Sequence, residues 1–134
     1  MVKPENASEE FVVKFIAVLS TGDLEKLRPM VHEDAVWTAM GKSIPGAGAH
    51  NGRKGIIDEF LAPVRGLFEP GEPKVEIQLM ISKGPYVAAE TRGVGTLKNG
   101  KPYDNQYVWV FELKDGQLYR LREYMDTAYI MSVV

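Results

Sequence analysis

The segment Tyr103–Leu113 carries the side chains best suited to chemistry on a small molecule. Because side chains alternate across a strand, its odd-numbered positions place tyrosine, tryptophan and phenylalanine rings on one face. Such rings form flat apolar walls with a few hydrogen-bond donors, which is how small-molecule pockets are lined. Asn105 and Tyr107 are therefore predicted to anchor a ligand. Trp109 and Phe111 fit a pocket wall and an ordinary core equally well.

A carboxylate lies close by in sequence, at Asp126, and Tyr124 shares its face of the last predicted strand. A carboxylate at the mouth of an apolar cavity is poorly solvated when charged, which favours a role as general acid or base. The sequence therefore predicts Asp126 as the catalytic group and Tyr124 as a wall. The alternative role for Asp126 is to cap the turn that begins at Thr127.

Glu90 and Arg92 are two residues apart and project from one face of an earlier strand. They form either a solvated surface pair, which contributes little to stability, or charge partners of Asp126 at the pocket. The neighbouring Gly93 and Gly95 favour the second interpretation, because glycines inside a strand often mark a sharp bend.

Two histidines and no cysteine are present, so a metal site would need histidine combined with aspartate or glutamate. His32 falls in a predicted exposed turn, whereas His50 ends a glycine-rich loop and is expected near the pocket mouth. The sequence contains neither a phosphate-binding glycine motif nor a nucleophile elbow. We therefore expect no metal and no cofactor.

Length and charge narrow the class of protein further. The 134 residues fit one domain, residues 1–134, and 16 basic against 18 acidic residues give a net charge of −2. Because the basic residues are scattered, nucleic acid is not an expected partner. The N-terminal segment lacks the apolar core of a signal peptide, no stretch approaches a membrane span, and cysteine is absent. A cytoplasmic protein without a membrane partner is expected.

The first half of the chain reads as helical. Apolar residues recur at helical spacing and predict helices over residues 7–21, 23–31 and 52–67, with Asn6 capping the first and Gly22 ending it. Pro63 is expected to bend the third. A short strand is predicted over residues 35–39, and the glycine-rich residues 41–52 read as a loop.

In the second half of the chain, apolar and more polar residues alternate with a period of two. Strands are predicted over residues 75–81, 86–97, 103–113 and 117–126, with turns at Gly84-Pro85, Asn99-Gly100 and Asp115-Gly116. Residues 130–134 could add an edge strand or pack on a neighbour. This order predicts an α+β fold, in which helices cover one face of a curved antiparallel sheet. The uncovered outer face is a candidate homodimer interface.

Several short motifs together resemble the nuclear transport factor two-like superfamily, and within it the SnoaL-like and ketosteroid-isomerase-related proteins. In chain order they are Ser20-Thr21-Gly22-Asp23-Leu24, Asp34-Ala35-Val36-Trp37, Gly52-Arg53, Asn99-Gly100, Tyr103-Asp104-Asn105-Gln106-Tyr107, Asp115-Gly116 and Arg122-Glu123-Tyr124-Met125-Asp126. The resemblance covers nearly the whole chain. It implies a cone, in which a curved sheet wraps the helices around a deep pocket, and a homodimer.

Members of this superfamily include steroid isomerases, polyketide cyclases, limonene epoxide hydrolases and non-catalytic binders. The resemblance implies cofactor-free acid–base chemistry, and Asp126 matches a functional carboxylate late in the last strand. The Arg-x-Asp pair of the epoxide hydrolases is replaced here by Glu90-Thr91-Arg92.

The leading hypothesis from the sequence is a cofactor-free isomerase, cyclase or hydrolase acting on a small, mostly apolar molecule. Asp126 would act as acid or base, with Arg92 and Glu90 as its charge partners. The expected ligand-binding residues are Trp37, His50, Asn105, Tyr107, Trp109 and Tyr124. The alternatives are a non-catalytic ligand-binding module and a structural dimer of the same fold.

Overall fold

The computed structural model describes residues 2–134 and begins with helix α1 (Ala7–Thr21). Asn6 caps it by accepting a 2.9 Å hydrogen bond from the Glu9 N–H. Gly22 ends it with φ of 82°, a left-handed conformation that costs glycine little. The predicted first helix and both of its ends are confirmed.

The next two helical regions are less regular than the sequence suggests. Helix α2 (Leu24–Leu27) passes into a 3₁₀ turn (Arg28–Met30). The predicted third helix consists of α3 (Gly52–Ile56), a π-helical turn (Ile57–Leu61) and α4 (Ala62–Arg65). The π-helical turn precedes Pro63 by two residues, and proline has no N–H to complete the helical ladder.

Six strands form one curved sheet in the order β2-β1-β6-β5-β4-β3. The strands are β1 (Val31–Ala39), β2 (Gly48–Asn51), β3 (Lys74–Lys83), β4 (Tyr86–Thr96), β5 (Pro102–Lys114) and β6 (Gln117–Met125). All neighbouring pairs are antiparallel except β1 and β6, which run parallel. The predicted α+β fold with a curved sheet is confirmed, although one pair departs from antiparallel pairing.

Three segments differ from the sequence prediction. Residues 31–34, expected to form an exposed turn around His32, belong to strand β1. Residues 48–51, expected in a loop, form strand β2, which pairs with β1 so that His50 lies opposite Trp37. The C-terminal residues form helix α5 (Thr127–Val133) instead of an edge strand. Asp126 begins this helix, because its side chain accepts a hydrogen bond from the Tyr129 N–H at 2.9 Å.

Strand β6 contains an irregularity that decides which of its side chains point inward. Glu112 of β5 pairs with Arg120, but the next residue, Leu113, pairs with Leu118, so β6 has one extra residue at this point. An extra residue is a β-bulge, and it reverses the alternation of faces beyond it. As a result, Leu118 and Leu121, three residues apart, are both buried.

The core lies between the inner face of the sheet and the helices. The buried ring of Phe15 on α1 contacts Phe111 and Trp37 on the sheet, with ring centroids 5.7 and 6.3 Å apart. The outer face of the sheet is mixed and solvent-exposed, with Leu79, Val108 and Tyr124 all more than a third exposed. Within residues 2–134 no helix is long and apolar enough to cross a membrane.

Candidate active site

An apolar cavity of about 70 Å³ lies between the inner face of the sheet and helices α4 and α5. A cavity needs only about 10–15 Å³ of such space to hold one water molecule, so this cavity is several times larger than a single-water site. Most of its walls are aliphatic or phenyl side chains. The lining side chains that carry polar groups are Trp37, Arg65, Tyr103, Tyr107, Trp109 and Glu123.

Glu123 is a buried carboxylate in the wall of this cavity, with only 7% of its surface exposed. Trp109 is its direct cross-strand partner in the β5–β6 pairing. The indole Nε1 of Trp109 donates a 3.2 Å hydrogen bond to one carboxylate oxygen of Glu123. The indole Nε1 of Trp37 donates a 3.1 Å bond to the other. Two tryptophans from different strands thus fix the position of the carboxyl group.

These surroundings change the acidity of Glu123. Burial raises the pKa of Glu123 from 4.5 to about 7, while the bonds from Trp37 and Trp109 act in the opposite direction. Burial wins because an ionised carboxylate loses most of its hydration in an apolar cavity, whereas each indole supplies only one hydrogen bond. A carboxyl group with a pKa near 7 can both take up and release a proton at neutral pH.

A pair of tyrosines provides the second polar feature. The Tyr103 and Tyr107 hydroxyls share a short hydrogen bond, and Asn105 donates a 3.0 Å bond to the Tyr103 hydroxyl. Burial raises the pKa of both phenols, so both stay neutral and able to donate at neutral pH. Gly93 leaves room for this arrangement, since a Cβ there would lie 3.2 Å from the Tyr107 ring.

Four of the residues expected at the pocket lie in or beside the cavity. Trp37, Tyr107 and Trp109 line it directly. Asn105 is buried behind the lining, where its amide supports the Tyr103 hydroxyl and bonds the backbone oxygen of Asp126 at 3.3 Å.

The side chain of Asp126, the expected catalytic group, lies outside the cavity. It is exposed and accepts the helix-capping bond described above. This corresponds to the alternative role that the sequence left open for this residue. The carboxylate inside the cavity belongs to Glu123.

The expected charge partners lie on the opposite face of the sheet. Glu90 is exposed, and it pairs with Val108, whose side chain is on the outer face. Arg92 forms a bidentate ion pair with Asp104, at 2.8 and 2.6 Å, rather than with Asp126. The alternation along β4 puts both residues outward, while Gly93 lies on the inner face beside the cavity.

Two expected ligand-binding residues lie away from the cavity wall. Tyr124, opposite Val108 on the outer face, is 43% exposed. His50 stacks on Phe60 with ring centroids 4.0 Å apart, and its Nε2 bonds the Gly46 carbonyl oxygen at 2.6 Å. Because Phe60 lines the cavity, His50 supports the wall from behind.

Sequence reasoning overlooked Glu123 and Arg65 as site residues. A strict period of two, counted from Leu118, puts Glu123 on the outer face, and only the bulge in β6 turns it inward. A sequence signal was available, because Glu123 lies at even spacing from Leu121 and Met125, both apolar. No group of three or more metal-binding side chains occurs within residues 2–134.

Known structures with the same fold are numerous. TerC, co-crystallized with polyporic acid, has a TM-score of 0.82 and 23% identity, covering 96% of this chain and 98% of its own. Bal32a, from a soil-derived mobile gene cassette, has a TM-score of 0.79 and 26% identity, covering 92% of each chain. An NTF2-like protein of unknown function from Burkholderia pseudomallei has a TM-score of 0.85 and 18% identity, covering 96% of this chain and 98% of its own.

No curated protein sequence matches the chain significantly. A family model described as a SnoaL-like domain, in contrast, matches residues 12–121, which span most of the chain. This match includes Trp37, Arg65, the tyrosine pair and Trp109, and it ends two residues before Glu123. The chain therefore belongs to the family of SnoaL-like domains and has the nuclear transport factor two-like fold.

Proposed function

We propose that the protein is an acid–base enzyme for a small, mostly apolar molecule, in which Glu123 takes up and returns the proton. The observation that carries this proposal is a buried carboxyl group, in an apolar cavity, with its pKa raised to about 7. General acids and bases are most effective when their pKa lies near the working pH. A carboxylate placed only for structure would be expected at the surface or beside a cation.

The remaining polar groups fit the same chemistry. When a base removes a proton next to a carbonyl, negative charge develops on the carbonyl oxygen. One hydroxyl hydrogen of the neutral Tyr103–Tyr107 pair is used in their mutual hydrogen bond and the other could bind this oxygen, while Trp37 and Trp109 hold the Glu123 carboxyl group in place. The reaction requires no group beyond these side chains.

The reaction class that this arrangement supports best is isomerisation or cyclisation, in which one group moves a proton between two atoms of a substrate. Epoxide hydrolysis with a paired arginine and carboxylate has less support, because Arg92 is engaged with Asp104 on the outer face. The structure of TerC with polyporic acid adds support for a small organic ligand in this fold.

The test begins with a thermal-shift screen of small apolar ketones, lactones and epoxides, since ligands stabilise the folded state by mass action. Compounds that bind are then assayed for conversion by wild type, Glu123→Gln and Asp126→Asn. Glu123→Gln is expected to lower turnover by about 10²-fold or more with little loss of affinity. Asp126→Asn is the matched control and is expected to turn over within a few-fold of wild type.

Equal turnover by wild type and Glu123→Gln would refute the role of Glu123. If compounds bind but wild type converts none of them, the non-catalytic binding module becomes the better description. Either result can be distinguished from misfolding, because thermal shift reports folding and binding in the same experiment.

We also propose that the protein forms a homodimer through the outer face of the sheet. Leu79, Glu90, Val108 and Tyr124 lie in one row across strands β3, β4, β5 and β6, and the three apolar members are each between 39% and 50% exposed. Exposed apolar side chains on an uncovered sheet face favour association. Sedimentation analysis of wild type and Val108→Lys tests this, and a monomeric wild type at micromolar concentration would refute it.

A further inference from the structure

We propose that Arg65 turns one part of the cavity into an anion-binding subsite, so that the natural ligand is an apolar molecule carrying one anionic oxygen group, such as a carboxylate. This inference rests on the cavity proposed above as the ligand site and adds the chemical class of the ligand. It concerns recognition, and it does not depend on Glu123 acting as acid or base.

The position of Arg65 is the first argument. It ends helix α4, is half-buried, and contributes to the lining of an otherwise largely apolar cavity. Its Nη2 donates one hydrogen bond, 3.2 Å long, to the backbone oxygen of Pro73. Burial lowers the pKa of Arg65, but an arginine side chain remains charged in proteins. Arg65 therefore contributes a charged side chain to the cavity lining, and its Nη2 lies near Pro73 and Gly22.

The Arg65 guanidinium has no carboxylate as an ion-pair partner among the described residues. Within residues 2–134, no carboxylate lies within 4.0 Å of its guanidinium. Arg28 and Arg92, in contrast, bond carboxylates at 2.6 Å on the surface. Partial removal of a charge from water is unfavourable unless a counter-charge or hydrogen bonds replace the lost hydration. One carbonyl contact uses a single donor of a group that has several, so donors remain for a ligand.

Arg65 also lies close to the tyrosine pair. Pro73, which accepts the bond from Arg65, packs beside Gly93, and Gly93 in turn contacts the Tyr107 ring. Tyr107 lies close enough to Arg65 to affect the acidity of its guanidinium. A guanidinium next to a pair of neutral hydroxyls offers several donors to one anion, and charge-assisted bonds of this kind are strong.

The ionisable side chains that line the cavity are Arg65, Tyr103, Tyr107 and Glu123, and both tyrosines remain neutral. Glu123 is therefore the other lining side chain that can bear charge near neutral pH. Arg65 and Glu123 make no ion pair with each other. While Glu123 is protonated, Arg65 is the charged side chain of this set, and it favours an anion. Once Glu123 ionises, it repels the same anion.

The test uses matched probes that differ only in charge: benzoate against benzamide, and cyclohexanecarboxylate against its carboxamide. Titrations at about pH 6 keep the carboxylate probes ionised, because a free carboxyl group has a pKa of about 4. Binding is followed by calorimetry and by indole fluorescence, since Trp37 and Trp109 line the cavity. The proteins compared are wild type, Arg65→Gln, Glu123→Gln and the control Arg53→Gln.

Arg53 is a suitable control, because it is also half-buried and donates to a backbone oxygen, that of Val31 at 2.8 Å, yet does not line the cavity. Wild type and Arg53→Gln are expected to bind each acid about tenfold or more tightly than its amide, the usual effect of one charge-assisted hydrogen bond. In Arg65→Gln this preference is expected to shrink to about threefold or less. Raising the pH to about 8 should weaken acid binding in wild type but not in Glu123→Gln.

Equal binding of acid and amide by wild type would overturn the inference and leave the proposed acid–base function intact. A preference for the acid that survives in Arg65→Gln would also overturn it. If no probe binds to wild type, the cavity is not a site for ligands of this class, and the inference fails. If instead the acids bind as expected but Glu123→Gln retains full turnover, the anion subsite stands and the proposed acid–base role fails.

Discussion

At the scale of single residues, the site depends on a balance of opposed effects at Glu123. Burial disfavours the ionised carboxylate, and two indole N–H groups favour it. Without the indoles, burial alone would keep the carboxyl group protonated at neutral pH, and it could serve only as an acid. A carboxyl group fully exposed to water would instead be ionised at neutral pH and only weakly basic. The pair of tryptophans therefore tunes the acidity as well as the geometry.

Trp109→Phe tests this balance. The change keeps an aromatic ring in the wall but removes the N–H that bonds Glu123 at 3.2 Å. Because that bond stabilises the ionised form, its loss is expected to raise the pKa of Glu123 by on the order of one unit. Carbon-detected NMR of the glutamate side-chain carboxyl groups, recorded as a function of pH, measures this value.

Tyr107→Phe is the control for that experiment, because it removes a polar hydrogen from the same cavity without removing a bond to Glu123. We expect it to shift the Glu123 titration less than Trp109→Phe does. A Trp109→Phe variant whose Glu123 titrates at an unchanged or lower pH would show that the indole does not stabilise the ionised carboxylate.

At the scale of elements, helix α5 closes one side of the cavity and depends on its cap. Ile130 of this helix and Val134 beyond it both line the cavity. Asp126→Ala removes the capping bond to Tyr129 and is expected to destabilise the protein by about 1 kcal/mol, whereas Asp126→Asn retains a good cap. Urea unfolding of the two variants measures the difference.

Hydrogen exchange of the α5 amides adds a local measure, since loss of the cap should speed exchange there first. If Asp126→Ala were as stable as wild type, with unchanged exchange in α5, the capping role would be refuted. Loss of turnover in the stably folded Asp126→Asn variant would instead return the catalytic role to Asp126.

The elements also show what sequence patterns can and cannot predict. The first helix follows from its cap, its apolar stripe and Gly22, all local features. The inward aromatic face of β5 follows from simple alternation. The inward position of Glu123 does not follow from alternation, because it depends on a bulge set by the pairing of Leu113 with Leu118. Strand β2 likewise exists through pairing with β1, despite its glycine-rich sequence.

Arg65 was missed for a related reason. It ends a helix whose sequence identifies an apolar face, but the sequence does not indicate that a long cationic side chain at its end reaches the cavity. It is placed there by tertiary structure, through its bond to Pro73, which lies beside Gly93 of strand β4.

At the scale of the whole molecule, the buried carboxyl group should make stability depend on pH. The pKa of Glu123 is about 7 in the folded state against an ordinary value of 4.5. Between these values the folded state holds a proton that the unfolded state has released, so the free energy of unfolding falls as pH rises through this window. Above about pH 8 both states are ionised and the loss is complete, amounting to about 3 kcal/mol.

Glu123→Gln removes this contribution while preserving the shape of the side chain. The difference in unfolding free energy between wild type and Glu123→Gln should therefore move against wild type by about 3 kcal/mol from about pH 4 to about pH 8. Urea unfolding at several pH values measures it, and other titrating groups cancel in the difference. A difference that stays constant with pH would contradict a raised pKa at Glu123.

The most direct measurement of the central claim is the titration of the Glu123 carboxyl carbon in the wild-type protein by NMR, assigned by comparison with Glu123→Gln. We expect a midpoint near the value of about 7 that burial produces, well separated from the midpoints of the exposed glutamates. A midpoint close to the ordinary value of 4.5 would mean that Glu123 is permanently ionised at neutral pH. In that case, the cavity would lack its acid–base group and the proposed function would be wrong.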